Sequence, residues 1–140
     1  MKSSDKYKQI AELCTLMHEE TVFGQLEYNP EKLAEFSTIM DRYDDAILIT
    51  HGSPVIAVFI GEVYPHVYTD DLIAVDQLMY VHPEHRRSGL ASKMVKQYKE
   101  WAESKGAKMT LIGSSTGFEG AEEFFTASGF TRIGGNYGLW

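Results

Sequence analysis

Residues 81–91 constrain the fold most, because they join an apolar segment to an amphipathic one through a short polar turn. The run Leu72–Val81 predicts a strand, and apolar residues at helical spacing after Gly89 predict a long helix. Gly89 lets the backbone approach a ligand closely, and Ala91 leaves the first helical turn uncrowded. Backbone N–H groups at a helix N-terminus have no intrahelical partner, and the helix dipole favours negative charge. The turn therefore predicts a site for a pyrophosphate group.

The remaining sequence reads as short helices and strands, without repeats, linkers or low-complexity segments. Periodicity and turn residues predict helices at 5–19, from Pro30 onward, at 88–105 and at 121–128, and strands at 46–50, 55–64, 72–81 and 108–112. Ser4 or Asp5 is the expected cap of the first helix, and Gly106 ends the long one. We expect one or two further strands in the tail, residues 130–140. This order predicts an α/β (α+β) protein with a mixed sheet.

Composition limits the class of protein further. A chain of 140 residues that is 44% hydrophobic fits one domain, so we expect residues 1–140 to fold as a single unit. No apolar run is long enough to span a membrane, and the N-terminus lacks the apolar core of a signal peptide. The single cysteine, Cys14, cannot form an intrachain disulfide, which favours a reducing, cytoplasmic compartment. A net charge of −7 argues against a nucleic-acid partner.

The polar turn also has a spacing that points to a family. Its motif reads R-x-x-G-x-A over residues 86–91 and is preceded by L-x-x-V-x-P over residues 78–83. This resembles the R/Q-x-x-G-x-G/A signature with which GNAT N-acetyltransferases bind acetyl-CoA. A strand before the motif, a helix after it and a Gly-Phe pair at 129–130 fit the same family. The resemblance covers about residues 5–134 and is greatest with short single-domain members, including phage-encoded ones.

The resemblance implies a fold and a binding mode. The fold is the GNAT acyl-CoA N-acyltransferase fold, a mixed sheet with helices on both faces, whose usual first strand is short or missing here. In that family the pantetheine arm of acetyl-CoA pairs with the strand before the signature, and the pyrophosphate lies on the turn. The residues so implicated are Met79, Tyr80 and Val81 in the strand, and Arg86, Arg87, Ser88, Gly89, Leu90 and Ala91 in the turn. On a purely structural interpretation, the strand residues belong to the core and the turn residues form a solvated basic turn.

Amine acetylation needs a neutral attacking nitrogen, so we look for a base. Asp76 is the candidate catalytic residue, because it is an ionisable side chain in an apolar strand and burial raises the pKa of a carboxyl group. It has two alternative roles, a local hydrogen bond or an anchor for the ammonium group of the acceptor. Glu62 in the preceding strand ranks second.

Many GNAT enzymes protonate the departing CoA thiolate with a tyrosine in the penultimate helix, but Phe125 stands at the matching position of this chain. The conceivable substitutes are Tyr80, Ser114, Ser115 and Tyr137.

Other groups receive weaker interpretations. His82 and His85 have an H-x-x-H spacing, but no further Cys or His accompanies them, so we predict no metal site. The stretch 114–117 either lines the cofactor gap or forms a polar turn. We expect the acceptor-facing end near residues 23–28, 65–71 and 136–140, which are rich in aromatic and acidic side chains.

The resemblance thus implies an acetyl-CoA-dependent N-acetyltransferase that acetylates a primary amine of a small molecule or protein by direct attack in a ternary complex. Acetyl-CoA would be the acyl donor and an amine the acceptor, without a metal, a nucleic acid or a membrane, and with a homodimer as the expected assembly. The alternative is a catalytically weak or inactive GNAT-fold binding or accessory protein that acts through protein–protein contacts. A third hypothesis is a homodimeric scaffold whose open sheet edge is the functional surface.

Overall fold

A computed structural model describes residues 3–113 and 119–140 of the chain. The α-helices in these ranges are α1 (Ser3–Glu20), α2 (Pro30–Arg42), α3 (Leu90–Ser104) and α4 (Ala121–Ala127). The strands are β1 (Ala46–His51), β2 (Ala57–Pro65), β3 (Leu72–Val81) and β4 (Met109–Thr110). Two short 3₁₀ helices, Val22–Gln25 and Pro83–His85, follow α1 and β3. None of the described helices is long and apolar enough to cross a membrane.

The described strands form one mixed sheet in the order β1-β2-β3-β4. Strand β2 pairs antiparallel with both neighbours, so that Phe59 lies opposite Ile49 on one side and Met79 on the other. Strand β4 runs parallel to β3, and α3 provides the crossover between them. This arrangement confirms the expected mixed α+β fold.

Strand β2 is the centre of the core, because residues Ala57, Val58, Phe59 and Ile60 are all buried. Alternate side chains of a strand project to opposite faces of the sheet. Val58 and Ile60 therefore pack in one cluster with residues of α1, whereas Ala57 and Phe59 pack in a second cluster with residues of α3. The sheet is covered on both faces, by α1 and α2 on one side and by α3 on the other.

A bulge interrupts the pairing of β2 with β3. Ile60 lies opposite Leu78 and Gly61 lies opposite Asp76, so Gln77 is an extra residue in β3. Before Gln77 the even-numbered side chains of β3 face α3, whereas after it the odd-numbered side chains do. Ala74 and Met79 consequently pack in the α3 cluster although an odd number of positions separates them.

The N-terminal expectations are confirmed in part. The first element within the described residues is α1, which begins at Ser3. The expectation that Ser4 or Asp5 caps the first helix is wrong, because both residues already lie within α1. Pro30 stands at the start of α2 as predicted, and Asn29 caps that helix by accepting a hydrogen bond from Lys32 N at 3.1 Å.

The C-terminal expectations are confirmed in part. Helix α4, Ala121–Ala127, agrees with the helix predicted at 121–128. Residues 130–140 form neither strand nor helix, and residues 131–140 are exposed, so the prediction of one or two final strands is wrong. Glycines at positions 134, 135 and 138 weaken any strand there, since glycine loses much conformational freedom on pairing and offers no side chain to pack. Strand β4 is also shorter than the predicted 108–112.

Gly61 gives a test of the packing between β2 and α3. A Cβ atom at this position would lie 2.9 Å from Cε1 of Tyr98 and 3.2 Å from Cε1 of Phe59. We expect Gly61→Ala to lower the free energy of unfolding by about 1–3 kcal/mol, because both rings are packed against each other and cannot move away freely. Urea unfolding measures the change. Gly134→Ala is the control and should be neutral within about 0.5 kcal/mol, since a Cβ there meets no atom within 4 Å.

Candidate functional site

The turn between β3 and α3, residues 82–89, is called the signature turn here. Its first half is the 3₁₀ helix Pro83–His85, which His82 caps by accepting a hydrogen bond from Glu84 N at 3.1 Å. Its second half contains two residues in the left-handed region, Arg87 with φ 65° and Gly89 with φ 89°. Gly89 is the N-cap of α3, so the first N–H groups of α3 have no intrahelical partner.

The signature turn borders a cavity of about 250 Å³. The cavity is lined by Val81, His85, Arg86, Arg87, Ser88, Gly89, Leu90, Ala91 and Ser92, with Phe124 of α4 at its side. All the turn residues predicted to bind the pyrophosphate are therefore brought together at one opening. A Cβ built on Gly89 meets no atom within 4 Å, so the space over this backbone is open. The geometry suits an anion that approaches the N-terminus of α3.

Arg86 makes contacts that the sequence analysis did not foresee. Its Nη2 donates to both carboxylate oxygens of Glu20 at the end of α1, at 3.1 Å and 2.9 Å. Its Nε donates to the carbonyl oxygen of Val81 at 3.2 Å. The hydroxyl of Tyr80 donates to the same Glu20 carboxylate, and the guanidinium carbon lies 5.3 Å from the centre of the Tyr80 ring. The charge of Arg86 is therefore balanced by Glu20.

Strands β3 and β4 separate beyond Ala74. Lys108 N donates to the carbonyl oxygen of Leu72, and Leu111 N to that of Ala74, both at 2.8 Å. Within the described chain, the parallel ladder goes no further along β3. Residues Met79, Tyr80 and Val81 pair with β2 on one side, and β4 pairs with none of them on the other. This is the opening in which the resemblance implies the pantetheine arm.

Asp76 lies where the two strands part. Its Oδ1 accepts a hydrogen bond from Gly113 N at 3.0 Å, so the side chain continues the contact between the strands after the backbone ladder ends. Burial raises the pKa of the Asp76 carboxyl group above its usual range, and hydrogen bonds from the N–H groups of Gly113 and of Asp76 itself oppose the rise. The local hydrogen bond that was one alternative at this position is thus present.

A family model described as an acetyltransferase (GNAT) domain matches residues 44–132, more than half of the chain. The chain belongs to the GNAT acetyltransferase family. The resemblance inferred from residues 86–91 is confirmed.

Solved structures support the same fold at low sequence identity. A transcriptional regulator from Bacillus halodurans C-125 has a TM-score of 0.79 at 15% identity, with 96% of this chain and 93% of that chain covered. Glucosamine-6-phosphate N-acetyltransferase from Arabidopsis thaliana has a TM-score of 0.74 at 16% identity, with 100% and 94% covered. An aminoglycoside 6'-N-acetyltransferase from Acinetobacter haemolyticus has a TM-score of 0.65 at 16% identity, with 81% and 82% covered. No curated protein sequence matches this one significantly.

The other acid–base candidates of this GNAT chain are dispersed. Glu62 accepts a hydrogen bond from Gln77 Nε2 at 2.6 Å. Tyr137 is 98% exposed in the tail. Phe125 packs against Phe124 and Phe130, and so fills the tyrosine position with an apolar contact. Ser114 and Ser115, like the rest of the stretch 114–117, lie outside the described residues.

The structure also places the histidine pair of the signature turn and the single cysteine. His82 and His85 stack edge to face with ring centres 5.7 Å apart, and the described residues contain no group of three His, Cys, Asp or Glu side chains that could hold a metal ion. Cys14 is fully buried, and burial raises the pKa of its thiol to about 12. A thiol with this pKa is a poor nucleophile at neutral pH.

The connector expected at the acceptor end contains a second, more open cavity of about 550 Å³, lined by residues 27–31. Its wall includes Glu27, Glu31 and Tyr28, whose ring stacks on His18 with centres 5.2 Å apart. The Tyr28 hydroxyl donates to the carbonyl oxygen of Ala11 at 2.6 Å, which fixes this connector against α1. Of the residues predicted for the acceptor end, Glu27 and Tyr28 line this cavity, together with Glu31 of α2.

The raised pKa of Asp76 predicts a pH dependence of stability. Because its folded-state pKa lies above the unfolded value of about 3.9, ionisation costs the folded state more than the unfolded state. Stability is therefore lost as the pH rises from about 4 through the folded-state pKa. Asp76→Asn removes this titration and keeps an oxygen acceptor for Gly113 N.

We expect the free energy of unfolding of Asp76→Asn, relative to the wild type, to be greater at pH 7 than at pH 4. Urea unfolding at several pH values checks the difference. The exposed Asp70→Asn serves as control for the loss of one negative charge. A relative stability of Asp76→Asn that falls with increasing pH would contradict the assignment.

Proposed function

We propose that the protein is an N-acetyltransferase that transfers the acetyl group of acetyl-CoA to a primary amine of a small molecule or a protein. One observation carries the proposal. At the signature turn an open cavity, a left-handed glycine and the N-terminus of a fifteen-residue helix coincide. These features form an anion site beside a gap in the sheet, as an acyl-CoA with a pyrophosphate and an extended arm requires.

The proposed acyl donor, acetyl-CoA, fits the residues that are present. Backbone N–H groups from Arg87 to Ala91 would hold its pyrophosphate, because the cavity lies over that backbone and a Cβ at Gly89 finds open space. The main chain of Met79–Val81 would bind the pantetheine arm on the side of β3 that faces β4. N–H groups of the same segment would stabilise the charge that develops on the thioester oxygen during attack.

The proposed reaction is direct attack in a ternary complex. The neutral nitrogen of the amine forms a bond with the carbonyl carbon, the carbon–sulfur bond breaks, and the CoA thiolate leaves. The nitrogen gives up one proton, and the thiolate gains one. Asp76 would accept the proton or anchor the amine, since it lies at the point where β3 and β4 part and its pKa is raised.

A second function remains a candidate because of Phe125. A phenyl ring cannot donate a proton, so the position used by many GNAT enzymes for the general acid is inactive here. A thiol has a pKa of about 8.5, so solvent can protonate the thiolate at neutral pH, but without the advantage of a positioned acid. A GNAT-fold protein that binds acetyl-CoA with weak or no turnover is therefore the alternative proposal.

Binding of acetyl-CoA is the first test. We expect isothermal titration calorimetry to show micromolar binding by the wild type and none by Gly89→Glu, because the new carboxylate would occupy the anion site. Gly106→Glu is a matched control, since Gly106 has a similar φ of 82°, also has open space around a Cβ, and lies at the other end of α3. If the folded wild type does not bind acetyl-CoA, the proposed function is wrong.

Turnover separates the enzyme from the binding protein. With a panel of primary amines, we expect release of free CoA by the wild type and at least a tenfold lower kcat for Asp76→Asn, whose amide can neither accept the proton nor pair with an ammonium group. Acetyl-CoA binding by the variant should be unchanged. A wild type that binds acetyl-CoA but acetylates no amine would favour the binding protein, and an unchanged kcat of the variant would remove Asp76 from the mechanism.

A further inference from the structure

We propose that Glu20 is a positioning residue for the acyl donor. Its carboxylate, at the C-terminal end of α1, holds Arg86 and thereby keeps the signature turn in the conformation that binds the pyrophosphate. The inference rests on the proposed function, because it assumes that acetyl-CoA binds at this turn. It adds a residue 66 positions away from Arg86 in the sequence.

The contacts of Glu20 converge on both sides of the signature turn. Its carboxylate accepts hydrogen bonds from Nη2 of Arg86 and from the hydroxyl of Tyr80, which lies in β3 just before the turn. The Tyr80 side chain is only 2% exposed, so the sheet fixes one of the two donors firmly. Glu20 therefore connects the turn to a rigid strand and to α1 at once.

Arg86 also closes the turn on itself. Its Nε donates to the carbonyl oxygen of Val81, the last residue of β3, so a single side chain connects the first and last parts of the segment 81–86. Arg87 follows directly with φ 65°, a left-handed conformation that is unfavourable for a non-glycine residue. Such a conformation persists only where neighbouring contacts impose it. Two sets of contacts flank Arg87, those of Arg86 on one side and, on the other, the hydrogen bond that the Ser88 hydroxyl donates to the carbonyl oxygen of His85.

Electrostatics alone would predict the opposite role for Glu20. A carboxylate near an anion site repels the ligand, and it also neutralises an arginine that could attract the ligand. If charge dominated, loss of Glu20 would strengthen binding of acetyl-CoA. If positioning dominates, loss of Glu20 weakens binding. The sign of the effect therefore distinguishes the two mechanisms.

The test compares Glu20→Ala with Glu19→Ala, a variant that removes the neighbouring, exposed carboxylate and the same charge. We expect calorimetry to show about fivefold weaker binding of acetyl-CoA for Glu20→Ala, because the side-chain contacts it loses are partly exposed. Glu19→Ala should bind as the wild type does. Glu20→Gln should recover part of the loss, since an amide oxygen still accepts from Arg86 and Tyr80.

A kinetic and a structural readout accompany the binding measurement. In Glu20→Ala the KM for acetyl-CoA should rise about fivefold, with little change in kcat or in the KM for the amine. Amide hydrogen exchange in residues 82–90 of the ligand-free protein should be faster in Glu20→Ala than in the wild type and Glu19→Ala. This exchange experiment does not depend on the ligand.

The outcomes are distinguishable. If the wild type binds acetyl-CoA and Glu20→Ala binds it equally well or more tightly, the inference is overturned while the proposed function stands. Unchanged hydrogen exchange in residues 82–90 also overturns the inference. If the wild type itself binds no acetyl-CoA, the proposed function is overturned and the inference about donor binding with it.

Discussion

The burial of β2 on both faces is the constraint on which the rest of the structure depends. Val58 and Ile60 anchor the cluster beneath α1, and Ala57 and Phe59 anchor the cluster beneath α3. Each helix layer buries its apolar side chains only because this strand lies between them. The rings of Phe59 and Tyr98, with centres 4.6 Å apart, fix α3 against the sheet. The N-terminus of α3, and with it the proposed anion site, is thereby held at the end of β3.

Because of the bulge opposite Gly61, Asp76 and Tyr80 of β3 lie on opposite faces of the sheet. Before the bulge, Ala74 faces the α3 cluster, and Asp76 follows two positions later beside the departing β4. After the bulge, Tyr80 faces the α1 cluster and donates to Glu20. A strand without the extra residue would put Asp76 and Tyr80 on one face. One inserted residue therefore allows the same strand to contact Gly113 through Asp76 on one face and Glu20 through Tyr80 on the other.

Some of this could be predicted from the sequence, and the physical reasons differ from element to element. The bounds of β3 are as predicted, and α3 begins two residues later than predicted, because strand alternation, glycine and helical periodicity are local signals. The prediction of strands in the tail was wrong. Phe130, Ile133 and Tyr137 are residues typical of strands, but strand formation also requires a neighbouring sheet edge, which composition does not reveal. Glu20 was missed for a similar reason, since its contact with Arg86 spans 66 positions and neither residue is unusual locally.

The contact between Glu20 and Arg86 changes how the signature turn should be understood. An arginine in a phosphate-binding motif suggests that its positive charge attracts the phosphate. Here, however, the guanidinium group of Arg86 already contacts a carboxylate, a carbonyl oxygen and an aromatic ring. Arg87, which also lines the cavity, the backbone N–H groups and the dipole of α3 then attract an anion at this turn. Hydrogen bonds from a backbone are effective only at the correct distance and direction, so such a site requires a stiff turn. The R/Q alternative at the first position of the signature agrees with this view, because glutamine can donate and accept hydrogen bonds but carries no charge.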